Sequence, residues 1–316
     1  MTDDEVNKRA QKMAQAKLLA EKTYFSLRRG LNAVRPTRFW KNTDSIILID
    51  WDETLSRVNT FEELFKLKLG AKKGLARYNY YRTLVKNGNC SLSQAAISGH
   101  AELVNLGITL HDYQTVFDSI INGGKIRNEI LRTVKYLQNH GRKVVLATRS
   151  PQAIADLAVA QFGFDLSIGS KEIVNRSGKV VGLAQLVGDA NRLTFAHGKS
   201  GSEKVREVTK FSRLKDEMRK QGITVKPKNV TILSDGYDDI VAFKKAGCSI
   251  LLVPQKSGGT QKISQQFGLR DQEVVERDSK EMERELKLRL RFPRVNRARK
   301  PVQDRIRVFA ARKRGK

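Results

Sequence analysis

The sequence contains few cysteines and no long apolar run, and both shortages exclude classes of protein. Its two cysteines, Cys90 and Cys248, do not belong to Cys-x-x-Cys pairs, so we expect neither a disulfide framework nor a thiolate zinc site. No apolar run approaches the roughly 18 residues of a membrane-spanning helix. The beginning, MTDDEVNKRA, is acidic and lacks the apolar centre of a signal peptide. These features predict a soluble protein of the cytoplasm without a transmembrane segment.

Acidic residues are also scarce relative to basic ones. The chain has 33 Asp and Glu against 60 Lys and Arg, which gives a formal net charge of +27. Residues 287–316 alone carry thirteen Lys or Arg and one acid, and residues 1–41 carry ten against four. Such an excess attracts polyanions. We therefore predict nucleic acid or ribonucleoprotein as a partner of the basic termini, with an anionic membrane surface as a weaker alternative.

Three zones of different composition predict the domain organisation. Residues 1–42 predict a basic helical extension whose long helix ends near Gly30. Residues 43–265 have the alternating pattern of an α/β core. Residues 266–316 predict a charged helix followed by a basic tail, which has too few apolar residues to fold without a polyanion.

The middle zone alternates between strand and helix patterns. Nearly continuous apolar runs predict buried parallel strands, and helical patterns separate them, so the expected fold is α/β with a doubly wound parallel sheet. The predicted strands are 45–50, 142–147, 229–234 and 249–254, and the predicted helices are 151–162, 202–221 and 237–246. Residues 172–182 predict a β-hairpin with Gly178 in its turn. Residues 61–128 show no strand-like alternation and predict a helical insertion.

Carboxylate and hydroxyl side chains follow three of the predicted strands. Asp50 and Asp52 follow the first strand, Thr148 follows the second, and Asp235 and Asp239 follow the third. Because parallel strands end at one edge of a sheet, we expect these side chains to meet there. Carboxylates at such close range repel one another unless a cation is bound. Oxygen ligands without His or Cys favour a hard cation, so the predicted cofactor is Mg²⁺.

A lysine near this edge would supply a positive charge for phosphate oxygens. The segment GKSGSEK contains two candidates, Lys199 and Lys204. The Gly-x-x-Lys context and an expected position at the start of a helix favour Lys204, and Lys199 stays the alternative. The GKS tripeptide does not predict a P-loop, because no glycine stands five residues before Gly198.

The order of these motifs resembles the haloacid dehalogenase superfamily, in particular its phosphoserine-phosphatase-like branch. IDWDETL resembles the first motif of the family, LATRSP the second, GSEKV the third and SDGYDD the fourth. Four motifs in the family order make a specific signal, and the resemblance covers about residues 44–254. It implies a Rossmann-like core with an α-helical cap, about residues 60–128, inserted after the first strand.

The resemblance also implies a Mg²⁺-dependent phosphatase that forms an aspartyl-phosphate. Asp50 would be the nucleophile, and Asp52 would protonate the leaving oxygen and then deprotonate water. Thr148 and Lys204 would bind the phosphoryl oxygens. The residues that the resemblance assigns to the metal are Asp50, Asp52 through its carbonyl, Asp235 and, acting indirectly, Asp239.

One position departs from the phosphoserine phosphatase pattern. In that branch a glutamate nine residues after the nucleophile binds the amino group of the substrate, and here the position is Asn59. An amide cannot supply the charge, so we predict that phosphoserine is not the preferred substrate. A second class of function also fits the charge of the chain. It is a nucleic-acid or ribonucleoprotein binding protein built on the same core, with little physiological catalysis.

Overall fold

The computed structural model describes the middle of the chain and a short C-terminal segment. The basic N-terminal extension, Lys199, most of the predicted helix at 237–246 and the tail after residue 291 lie outside the described residues. Those that the structure describes are residues 46–188, 192–198, 201–236, 239, 247–253, 274–276 and 278–291.

A nine-stranded sheet forms the centre of the described fold. Its strands are β1 (Ile46–Ile49), β2 (Lys143–Pro151), β3 (Leu166–Val174), β4 (Val180–Gly188), β5 (Arg192–Gly198), β6 (Gly201–Thr209), β7 (Val230–Ser234), β8 (Gly247–Val253) and β9 (Val274–Glu276). Their order is β5-β6-β4-β3-β2-β1-β7-β8-β9. All neighbours from β3 to β9 are parallel, whereas β4 and β5 are antiparallel to their partners β3 and β6. The predicted α/β class is confirmed, although the sheet is not wholly parallel as expected, because it contains the antiparallel pairs β3–β4 and β5–β6.

Strand β1 lies in the middle of the parallel part. Every residue of this IILI strand is buried, as its apolar sequence predicts for a strand covered on both faces. Ile49 is in register with Leu146 of β2 and with Leu233 of β7. The backbone N–H of Asp50 continues this ladder by donating to the carbonyl of Leu233 at 3.0 Å. The residues that follow β1, β2 and β7 therefore lie side by side.

Helices cover the sheet and form the insertion. They are α1 (Thr60–Leu69), α2 (Ala71–Lys86), α3 (Leu92–Asn105), α4 (Leu110–Asn122), α5 (Asn128–Asn139), α6 (Gln152–Phe162), α7 (Lys210–Lys220) and α8 (Met282–Arg291). Helices α1 to α4 make up the insertion, which is helical as predicted. Ser93 on α3 donates a 2.6 Å hydrogen bond to Glu207 on β6, and both side chains are fully buried. This contact joins the insertion to the mixed end of the sheet.

In the segment between β4 and α7, the structure differs from the secondary structure that the sequence predicts. Residues 202–221 were predicted to be one helix, but residues 201–209 form β6 and the helix begins only at Lys210. Val205 and Glu207 are buried while Lys204 and Arg206 are exposed, which is the two-residue period of a strand. Thr209 then caps the helix by accepting a 3.1 Å hydrogen bond from the N–H of Ser212. The predicted hairpin is confirmed as the β3–β4 pair, with Gly178 at φ +80° in its turn.

The C-terminal charged segment belongs to the core. Residues 274–276, expected within a helix, form β9 and extend the sheet beside β8. Met282, Leu286 and Leu290 on α8 are at most 1% exposed and belong to the larger apolar cluster. The fold therefore continues beyond the predicted boundary at residue 265. Among the helices that the structure describes, none has both the length and the hydropathy needed to cross a bilayer.

Candidate active site

Asp50 is the first residue after β1 and lies at the edge where the parallel strands end. Its Oδ1 accepts a 2.8 Å hydrogen bond from the N–H of Trp51, which fixes the carboxylate at the start of the next turn. Ser234, the last residue of β7, places its Oγ 3.2 Å from the other oxygen, Oδ2. The predicted nucleophile is therefore oriented by the backbone on one side and by a neighbouring strand on the other.

Lys210 is the lysine that contacts this carboxylate. Its Nζ lies 3.0 Å from Asp50 Oδ1 and 2.5 Å from Asp239 Oδ2, and its side chain is only 4% exposed. The prediction that Lys204 occupies this place is wrong, because Lys204 is exposed on β6 and the helix starts six residues later. A signal in the sequence could have shown this. Thr209 is a favourable N-cap, and the apolar spacing at 211, 214 and 218 indicates a helix from Lys210 onward.

The three charges influence one another strongly because Nζ of the buried Lys210 lies within 3.0 Å of both carboxylates. Burial raises the pKa of Asp50, the nearby Asp239 raises it further, and Lys210 opposes both effects. Burial also disfavours the ionised form of Asp239, but Lys210 and Arg149 hold its pKa below the usual value. Burial lowers the pKa of Lys210, yet the two carboxylates more than compensate and raise it. Lys210 therefore remains an ammonium ion at this edge.

Asp52 is held in a different environment from Asp50. Its Oδ1 accepts hydrogen bonds from the N–H and the hydroxyl of Thr60 at 2.8 and 2.6 Å, and its Oδ2 accepts one from Ser150 Oγ at 2.5 Å. Burial raises the pKa of Asp52 to about 6, although the hydrogen bonds from Ser150 and Thr60 lower it in part. A carboxyl with this pKa can both donate and accept a proton near neutral pH.

Asp235 and Thr148 complete the set of predicted residues at the edge. The Thr54 hydroxyl donates to Asp235 Oδ1 at 2.8 Å and accepts from the N–H of Asp235, also at 2.8 Å. Thr148, near the end of β2, is fully buried, and its Oγ1 accepts a 3.1 Å hydrogen bond from the N–H of Ser150. The structure thus brings all the predicted carboxylates and Thr148 to one edge, and Lys210 replaces Lys204 among them.

The carboxylates do not gather into one cluster of metal ligands. Within the described ranges, no three His, Cys, Asp or Glu side chains are arranged to hold a metal ion. The Asp52 carboxylate is directed to Thr60 and Ser150, and Asp239 is bound to Lys210. Asp50 and Asp235 are the two carboxylates that would hold an ion here, and they also accept hydrogen bonds from the Trp51 N–H and the Thr54 hydroxyl. Mg²⁺ binds through one or two carboxylates and retains several waters, so this donor set fits it.

A cavity of about 670 Å³ opens above the edge. The carboxylates, Thr148 and Lys210 line its base, and helices of the insertion form its walls. Asn59 lines it as well, and its Oδ1 caps α1 by accepting a 3.0 Å hydrogen bond from the N–H of Phe61. Arg82 and Lys86, one turn apart on α2, are exposed where they border the cavity. The lining of the cavity therefore carries positive charge from Lys210 and Arg149 beside the carboxylates and from Arg82 and Lys86 on α2.

Several solved structures are similar to this chain. A HAD family hydrolase from Salmonella enterica subsp. enterica serovar Typhi is 14% identical with a TM-score of 0.50, and the match covers 66% of this chain and 62% of that chain. A protein of unknown function from Bordetella pertussis Tohama I is 14% identical with a TM-score of 0.52, covering 73% and 97%. A phosphoserine phosphatase from T. onnurineus is 17% identical with a TM-score of 0.44, covering 81% and 98%. The chain thus spans less than two thirds of the Salmonella protein.

Comparison with curated proteins found no match to this chain. A family model described as haloacid dehalogenase-like hydrolase matches residues 47–244, a stretch that includes the edge of the sheet, the insertion and Lys210. The family expected from the motifs is therefore confirmed, and the chain belongs to the haloacid dehalogenase-like hydrolases.

Proposed function

We propose that the protein is a Mg²⁺-dependent phosphatase that hydrolyses a phosphomonoester through an aspartyl-phosphate. The observation that carries the proposal is that two neighbouring carboxylates have different partners, a buried ammonium in one case and hydroxyl groups in the other. Asp50 is oriented beside the ammonium of Lys210, whereas Asp52 is buried among hydroxyls with a pKa of about 6. One carboxylate suits nucleophilic attack and the other suits proton transfer.

The first step of this mechanism transfers the phosphoryl group to the enzyme. A carboxylate oxygen of Asp50 forms a bond to phosphorus while the bond from phosphorus to the leaving oxygen breaks. Asp52 donates its proton to that leaving oxygen, which departs as an alcohol. Lys210 and the hydroxyl of Thr148 bind the phosphoryl oxygens and stabilise their negative charge. Asp50 and Asp235 would hold Mg²⁺, which would supply further charge stabilisation when bound.

The second step releases phosphate. Asp52, now ionised, takes a proton from a water molecule as the water oxygen attacks phosphorus. The bond from phosphorus to Asp50 breaks, and inorganic phosphate leaves. Asp239 keeps Lys210 charged and in place through both steps, as its 2.5 Å contact with Nζ supports.

The cavity supports a substrate other than phosphoserine. Asn59 offers no negative charge to an amino group, and Arg82 and Lys86 add positive charge to the lining of the cavity. This favours a phosphomonoester that carries further anionic groups or is attached to a polyanion. A panel in which phosphoserine had the highest kcat/KM would contradict this part of the proposal.

A nucleic-acid or ribonucleoprotein binding protein with little physiological catalysis is the second candidate. The net charge of +27 and the basic residues 292–316 favour it. An assay of aryl phosphate, nucleotides and end-phosphorylated oligonucleotides with and without Mg²⁺ separates the candidates. We expect Mg²⁺-dependent release of phosphate that Asp50→Asn abolishes, because an amide cannot form the acyl-phosphate. Absence of turnover on every substrate, or turnover unaffected by Asp50→Asn, would leave the binding function.

A further inference from the structure

Arg127 is a buried cation at the point where the insertion returns to the core. Its side chain is 4% exposed, and its Nη1 contacts three backbone carbonyls of the segment that follows β1. The acceptors are the carbonyls of Glu53, Thr54 and Ser56, at 2.6, 2.7 and 2.9 Å. The backbone N–H of Arg127 also donates to the carbonyl of Leu55 at 2.9 Å. One residue thus binds four consecutive carbonyls of a single turn.

This turn, Trp51–Ser56, has an irregular backbone and carries two residues of the site. Glu53 adopts φ +53°, a left-handed conformation that costs free energy for a residue other than glycine. Thr54 fixes Asp235 through the two hydrogen bonds between its hydroxyl and that residue. Asp52 lies one residue before Glu53. Any movement of the turn would therefore displace both Asp52 and the partner of Asp235.

The other side of the guanidinium contacts the C-terminal segment. Asp278, between β9 and α8, accepts hydrogen bonds from Arg127 Nε at 3.0 Å and Nη2 at 3.3 Å. Arg57 forms an ion pair with the same carboxylate. Partial burial opposes the ionisation of Asp278, but these two arginines hold its pKa below the usual value. Asp278 is therefore an anion that orients the guanidinium toward the turn.

We propose that Arg127, oriented by Asp278, is a positioning residue that holds the Trp51–Ser56 turn and, through Thr54, Asp235 in catalytic geometry. This inference rests on the phosphatase function proposed above. It gives the C-terminal segment 274–291 a role in catalysis although no catalytic motif lies there. A planar guanidinium can donate hydrogen bonds to the Asp278 carboxylate from one edge and to the carbonyls of the turn from another. The single ammonium of lysine cannot do both, so lysine is not an adequate substitute.

The structure offers a matched control for this role. Arg132 on α5 pairs with Glu283 on α8 at 2.6 Å and so also joins α5 to the C-terminal segment. Arg132 is 55% exposed, and within the described part of the chain its ion pairs are with Glu129 and Glu283, neither of which belongs to the turn. Arg127→Lys and Arg132→Lys therefore make the same chemical change in two ion pairs with the C-terminal segment. Of these two ion pairs, only the one formed by Arg127 also contacts the turn.

The test uses the full chain in a Trp40→Phe background, which leaves Trp51 in the turn as the single tryptophan. We expect Arg127→Lys to lower kcat by about 10- to 100-fold and to raise the Mg²⁺ concentration for half-maximal activity, as supporting residues of metal sites do. KM for an aryl phosphate should change little. Quenching of Trp51 fluorescence by acrylamide should increase, because the turn loses three hydrogen bonds. Arg132→Lys should change none of these quantities.

The inference would be overturned if Arg127→Lys had the same kcat, Mg²⁺ dependence and Trp51 quenching as the wild type. It would also be overturned if Arg132→Lys changed these quantities as much as Arg127→Lys does. If Arg127→Lys does not fold, Asp278→Asn decides, because Asp278 is 35% exposed and Arg127 itself is retained. We expect smaller changes in the same direction from Asp278→Asn, and their absence would also overturn the inference. If the wild type hydrolyses no substrate, the phosphatase proposal fails, and the fluorescence of these variants still decides whether Arg127 positions the turn.

Discussion

Lys210 Nζ lies 3.0 Å from Oδ1 of Asp50 at the end of β1, where the lysine side chain is 4% exposed and the carboxylate 13%. The lysine reaches this position from the first residue of α7, whose start is set by the Thr209 cap. Asp239 contacts the same Nζ from the opposite side at 2.5 Å. A single cation thus separates two carboxylates that would otherwise repel each other in a poorly solvated site.

Lys210→Met should lower kcat/KM for an aryl phosphate by about a hundredfold or more, because the phosphoryl oxygens lose a fixed positive charge. Lys204→Met is the matched control, since Lys204 is exposed on β6 and its substitution should leave kcat/KM within about twofold. Steady-state kinetics on both purified variants, with circular dichroism to verify folding, measure the difference. A large loss in Lys204→Met with normal activity in Lys210→Met would return the assignment to Lys204.

Asp52 should make the reaction depend on pH. With a pKa of about 6, Asp52 is protonated below that pH and can donate to the leaving oxygen. For an alkyl phosphate, whose leaving group needs the proton, kcat/KM should therefore fall as the pH rises through about 6, because kcat/KM reports the ionisation of the free enzyme. Asp52→Asn should be slower at every pH and lack this dependence. A pH profile of Asp52→Asn that matches the wild type would exclude Asp52 as the proton donor.

The same pKa predicts a change in stability with pH. The pKa of Asp52 is raised from 3.8 to about 6, so the folded chain binds the proton more tightly than the unfolded chain. The resulting stabilisation is complete below the unfolded value and is lost as the pH rises through the folded value. Relative to Asp52→Asn, the wild type should lose up to about 3 kcal/mol of unfolding free energy across this range. Urea unfolding of both proteins without Mg²⁺ measures it, and parallel pH curves would contradict it.

Two leucines of α8 test whether the C-terminal segment is part of the core. Leu286 is fully buried and Leu288 is 58% exposed on the same helix. Leu286→Ala should cost about 2–5 kcal/mol of unfolding free energy because it leaves a cavity, whereas Leu288→Ala should cost less than about 0.5 kcal/mol. Chemical denaturation of the two variants provides the comparison. Equal, small effects would mean that α8 contributes little to the core.

The basic residues after α8 should bind nucleic acid without strong sequence preference. Their affinity should fall by roughly a thousandfold or more between about 50 and 200 mM salt if six to ten phosphate contacts form, because counterions are released. Deletion of residues 292–316 should weaken binding and flatten the salt dependence. Because this deletion leaves α8 intact, hydrolysis of an aryl phosphate should be nearly unchanged.

Fluorescence anisotropy with labelled single- and double-stranded RNA and DNA measures this binding. A shorter deletion of residues 312–316, which removes four of the basic residues, should produce an intermediate salt dependence. Binding weaker than micromolar at low salt, or binding indifferent to removal of residues 292–316, would show that the charge serves another purpose.

Much of this architecture follows from local sequence. The apolar runs that became β1, β2, β7 and β8 can be buried only in a sheet covered on both faces, so their pattern determined the fold class. The side chains after those strands were also predictable, because parallel strands end at one edge. Their grouping at one edge could be predicted without tertiary information, and it comprises Asp50, Asp52, Thr148, Asp235 and Asp239.

Tertiary structure decided the identity of the lysine and the role of the C-terminal segment. The segment 201–209 has charged residues compatible with either a helix or a strand, and pairing with β4 and β5 made it a strand. That choice moved the helix start from Lys204 to Lys210. Likewise, Arg127 and Asp278 are 151 residues apart, and no local pattern indicates that they meet. Such contacts form only when elements that are distant in the sequence pack against each other, so a local sequence pattern does not reveal them.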